Sequence, residues 1–128
     1  MSLEPELLAI IEADAAAQAA AGRATFASWG HAPDLEPLPR VVLHHISAVP
    51  DQTQGGPSGL MNSRVQIDVW ASTYGAAAAL ADAVRGAVDG YAGGSIERII
   101  ADVSTDVTET SAEPVIYGRR MEILAAWR

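Results

Sequence analysis

Apolar positions along the chain fall into stretches of helical and of alternating spacing, and their order predicts most of the secondary structure. Leu3, Leu7, Ile10 and Ile11 gather on one helical face, with Leu8 to one side, and predict a helix over residues 3–21. Ser2 can cap it, Pro5 is tolerated in its first turn, and Glu4 and Glu6 suit its positive end. Gly22 with Arg23 reads as its stop. Asp14 falls on the apolar face, so at that turn the helix either leaves the core or presents a partnered acid. A short strand is expected over 24–29, then a connector containing Pro33, Pro37 and Pro39, then a β-branched strand from Val41 to Ser47.

Residues 48–62 hold three glycines and two prolines and read as a long loop. The clearest strand is Arg64 to Ala71, where Val65, Ile67 and Val69 alternate with Arg64, Gln66, Asp68 and Trp70. Ser72 or Thr73 should cap a helix over 74–89. Its stripe is Tyr74, Ala77, Leu80 or Ala81, Val84 and Val88, and it ends at Gly90. Strands then follow at Ile96–Val103, at 106–110, and at Tyr117–Trp127, where Met121, Ile123, Ala125 and Trp127 share a face. Strands run consecutively on either side of one helix. That order predicts an α+β fold, with an antiparallel or mixed sheet packed against an N-terminal and a central helix.

A length of 128 residues predicts one domain spanning 1–128, large enough to fold without metal or disulfide. The absence of cysteine removes disulfides, thiolate metal sites and a cysteine nucleophile. No apolar run reaches membrane-spanning length, and the acidic N-terminus is unlike a secretory signal, so no membrane partner is expected. The net charge is −8 and every cation is arginine. Its one basic doublet, Arg119-Arg120, would split between two faces of a strand, which argues against a phosphate-gripping patch.

Candidate chemistry is sparse. His44 and His45 are neighbours on a strand and point apart, and His31 has no ligand partner at useful spacing. Glu4, Glu6, Glu12, Asp82 and Asp89 read as solvated helix acids, with Arg85 an ordinary surface partner for Asp82. Gly55-Gly56-Pro57-Ser58-Gly59 is glycine-rich, but it precedes a strand and has no lysine to complete a phosphate loop. Ser58 does not sit in a nucleophile-elbow pattern. No nucleophile with a base, metal shell or acid pair is predicted, so the chain reads as a non-enzyme without cofactor. From the residues alone, a small dimeric ligand-binding or regulatory module is the alternative, with His45, Tyr117 and Arg119 as its candidate polar groups.

Three stretches resemble the tail-completion family of long-tailed phages, which is similar in fold and role to siphophage tail terminators. They are Pro39-Arg-Val-Val-Leu-His-His-Ile-Ser47, Gly56-Pro-Ser-Gly-Leu-Met-Asn-Ser-Arg-Val-Gln-Ile-Asp-Val-Trp-Ala71, and Ala79-Leu-Ala-Asp-Ala-Val-Arg-Gly-Ala-Val-Asp-Gly90. The N-terminal Leu-x-x-Ile-x-Ala-Asp helix and the strand ending in Trp127 also fit. The resemblance implies a homo-hexameric ring of a phage or gene-transfer particle. That ring would be assembled in the host cytoplasm, end the tail tube at the virion neck, and contact the major tail tube protein and a head-completion or neck protein. DNA would pass its lumen without specific binding, and an acidic wall suits that passage. Candidate inter-ring contacts are Gln54, Gly55, Gly56, Pro57, Ser58, Gly59 and Leu60 in the long loop, with Asp106, Glu109 and Glu113 in the 104–115 segment. Like charge on every copy predicts assembly that strengthens with salt.

Overall fold

The computed structural model describes residues 3–30, 37–110 and 115–128. Its elements run α1 (Leu3–Ala13), α2 (Ala15–Ala21), β1 (Ala27–Trp29), β2 (Arg40–Thr53), β3 (Gly56–Ala71), α3 (Tyr74–Val88), β4 (Ile96–Asp106) and β5 (Tyr117–Trp127). One mixed sheet has the order β1-β2-β3-β5-β4, in which β1 is parallel to β2 and the other neighbours are antiparallel. The fold is therefore α+β, as the element order predicts. The last strand lies between β3 and β4, which the crossover helix α3 connects.

The predicted N-terminal helix is two helices. Asp14 leaves helical geometry, and its carboxylate accepts the Ala17 N–H at 3.0 Å, so it caps α2. That is why an acid stands on an otherwise apolar stripe. Ser2 and His31 lie outside the described residues. Leu3, Leu7 and Ile11 are buried against the sheet. Glu12, expected to be solvated, accepts the Phe26 and Ala27 N–H groups at 2.9 and 3.1 Å and ties α1 to the start of β1.

Val41, Leu43, Val65, Ile67, Val69, Met121, Ile123, Ala125 and Ile99 alternate onto the helix-covered face. There they meet Leu80, Ala81, Val84 and Val88 of α3. Full burial of such side chains is worth about 1.5–3 kcal/mol each, which makes this layer the main source of stability. Thr73 caps α3 through its hydroxyl. Tyr74, expected on the buried stripe, is 54% exposed because it lies in the first turn, at the end of the sheet.

The largest departure is at 48–62, which is a β-hairpin and not a loop. Strands β2 and β3 continue past the body of the sheet to a two-residue turn at Gln54-Gly55. The glycines make this possible. Gly56 follows the turn at φ +115°, and Gly59 lies at φ +86° in a bulge where Ser58 to Leu60 face the single Asp51. The Ser58 hydroxyl donates to the Asp51 carboxylate at 3.0 Å and closes that bulge. The separate strand expected at 106–110 is also absent. β4 runs through Asp106, and beyond it only an isolated bridge joins Glu109 to Ile116.

Candidate functional site

Among the chemistry-bearing side chains, His45 makes the most connected set. Its Nδ1 lies 3.1 Å from Glu4 Oε2 and its Nε2 lies 2.9 Å from Ser63 Oγ, which in turn accepts the Trp127 indole N–H at 2.8 Å. Carboxylate, imidazole and hydroxyl in that order match the connectivity of a hydrolase relay. Two facts oppose that role. Ser63 is 1% exposed on a central strand, so no substrate reaches its oxygen, and that oxygen already takes the indole hydrogen. The chain of contacts is a tie that fastens α1 and β5 to the middle of the sheet. Among the described residues, no group of three histidines or acids could hold a metal ion.

Shifted acids and bases have similarly local causes. Ser95, through its hydroxyl and then its backbone N–H, holds the Glu6 carboxyl below its ordinary value. Thr108 does the same to Asp106, again with its hydroxyl first and its N–H second. Glu122 and then Asp102 raise the Arg64 guanidinium, and Asp68 raises that of Arg120. All four are structural pairings at or near the surface.

The polar groups proposed for a ligand pocket do not converge. Arg119 lies over the Tyr74 ring at 5.7 Å, and Tyr74 meets Tyr117 edge-on at 6.3 Å. His45, however, pairs with Val65 while Tyr117 pairs with Ala71, six positions farther along β3. That is a separation of about 20 Å along a strand.

What the fold does present is shape. The β2–β3 hairpin extends beyond the Met61–Trp127 pair as a two-stranded arm, carrying Gln54, Gly55, Gly56, Pro57, Ser58, Gly59 and Leu60. At the other end of the same sheet, β4 and β5 run on past Asp106–Arg119 to the Glu109–Ile116 bridge. The two groups of predicted contact residues therefore project from opposite ends. Glu113 lies outside the described residues.

The sheet face away from the helices is open. Its middle is a charge network: Arg64 bonds Glu122 at 2.7 Å and Asp102 at 3.2 Å, and Arg120 bonds the buried Asp68 at 2.8 Å. Toward the arm it turns apolar, with Ile46 52%, Val49 58%, Ile100 42% and Leu124 37% exposed. Val49, Ile100, Leu124 and Ala126 line a groove of about 400 Å3, with Arg98 and Arg64 beside them. The sequence reading missed this face. Its signal was available: apolar residues stand at both phases of the strand alternation, so one set had to lie away from the core.

The described residues form two layers with end projections and an apolar open face, a shape suited to packing against other proteins. The sequence profile of the tail completion protein gp17 family matches residues 5–118, and the chain belongs to that family. It is a structural subunit of phage-type tails. The fold also matches a chain in the virion of a native gene transfer agent particle, with a TM-score of 0.72 at 20% identity, over 99% of this chain and 93% of the other. No curated protein matches the sequence.

Proposed function

We propose that this chain, folded as one domain, is the subunit of a hexameric ring that ends the tail tube and joins it to the head. The observation that carries this reading is the emergence of the arm and the β4–β5 connection from opposite ends of one sheet. A ring built from such protomers has two separate rims. One rim would meet the major tail tube protein and the other a head-completion or neck protein, with Gln54 to Leu60 at one and Asp106 and Glu109 at the other. The lumen would pass DNA without holding it. The net charge of −8 supports this, as do Arg64, Arg120 and Arg128, which are already bonded to carboxylates.

The test is to replace residues 52–58 by a short turn. Among the described residues the arm's strands beyond Met61 pair with each other and not with β5, so the melting temperature should stay close to that of the parent chain. Particles made with the shortened chain should accumulate separate heads and tails in electron micrographs. Normal joining would remove the arm from this role. Sedimentation supplies the ring test: the oligomer should persist or grow as salt rises, because screening relieves repulsion between acidic copies. An oligomer that dissociates at high salt counts against the ring as described.

A further inference from the structure

We infer that the open sheet face of one protomer is covered by the outer surface of α3 from a second copy of this chain. The inference rests on the ring reading and specifies its lateral contact. The two surfaces lie on opposite sides of the domain, since α3 buries Leu80, Val84 and Val88 inward. A contact between unlike surfaces repeats head to tail and can close into a ring.

Shape supports the pairing. The open face offers large side chains at Val49, Ile100 and Leu124. The outer stripe of α3 is Gly75, Ala79, Asp82 and Gly86, all exposed and spaced four, three and four residues apart. Gly75 and Gly86 are unexplained within the protomer. Neither has a positive φ, and a Cβ at either would meet nothing within 4 Å. Glycine in a helix interior is disfavoured relative to alanine, so Gly86 above all points to close approach from outside.

Charge supports it as well. Arg98 is exposed at the groove, and Asp82 is exposed at the middle of the α3 stripe. Among the described residues neither side chain makes a hydrogen bond or ion pair, and the expected Asp82–Arg85 pair does not form. Docking α3 into the neighbouring groove would bring Asp82 to Arg98 and bury the apolar strip. A like-charged chain gains from such a local match of opposite charge, which fixes register more than it adds affinity.

The chain has no cysteine, so paired substitutions report contacts cleanly. Ala79→Cys with Ile100→Cys should give an oxidised ladder extending to a closed ring, in solution or on tails, while each single variant stays uncrosslinked. Asp82→Arg and Arg98→Asp should each weaken assembly about tenfold, and the double exchange should restore most of it. Leu124→Glu should abolish assembly while leaving the melting temperature near the parent value. Dimers from Ile100→Cys alone would mean that two open faces meet, and would overturn the proposal. An oligomer of normal size that gives no paired crosslink and tolerates Leu124→Glu would overturn it and leave the ring intact. No oligomer in either setting would end the ring reading and this contact with it.

Discussion

Trp70 lies across Gly118. The two face each other in the β3–β5 register, and a Cβ on Gly118 would stand 2.5 Å from the indole Cζ3 and 2.7 Å from Cε3. The indole fills the space that a side chain on β5 would take, and so covers a strand position that glycine alone would leave thin. Gly118→Val should therefore destabilise the protein by about 1–3 kcal/mol, by forcing the ring off its seat. The loss should shrink in a Trp70→Leu background, because the two sites share one volume. Urea unfolding of the four variants measures both effects, and equal losses in the two backgrounds would show that the indole is not the obstacle.

Ser63 is the hinge of the buried polar tie. Its oxygen serves both the Trp127 indole and His45, whose other nitrogen reaches Glu4. Ser63→Ala would strand the indole N–H in the interior. A loss of about 1–3 kcal/mol is expected from unfolding in urea, with a changed Trp127 emission in the folded state. Wild-type stability in that variant would mean the tie contributes nothing net.

Acid should destabilise the fold through Glu6 and Asp106. Both carboxyls are held below their ordinary values of 4.5 and 3.8 by hydrogen bonds. A depressed folded value means the unfolded chain takes up the proton first as pH falls. Their contribution is thus complete above the ordinary values and is lost as pH drops through the depressed ones. The melting temperature should be level from neutral pH to near 5 and then decline. Glu6→Gln should lower it at neutral pH and flatten the acid decline. An unchanged acid slope in that variant would remove Glu6 from the account.

Strands with one buried face were legible because a single face imposes alternation. Val65, Ile67 and Val69 announced β3, and Met121, Ile123 and Ala125 announced β5. α3 was equally plain from Leu80, Val84 and Val88. The arm was not legible, because its strands have no layer against them and so need no alternation. Only the glycines at its turn and bulge stood out, and they read as a loop. Asp14 was misplaced for a related reason: a cap inside a continuous helical pattern carries no periodic mark. Tyr74 followed the stripe in sequence, but in the first turn it lies at the end of the sheet, beside Tyr117 and Arg119, and stays exposed. The end projections were found as segments, whereas their placement at opposite ends depends on register, which no local pattern encodes.

The position of β5 carries a consequence for how the chain is made. This strand is made after β3 and β4, yet it lies between them and bonds to both. Until residue 127 is free, β4 has no neighbour and the core lacks Met121, Ile123 and Ala125. A copy that stops short of β5 therefore cannot complete its sheet.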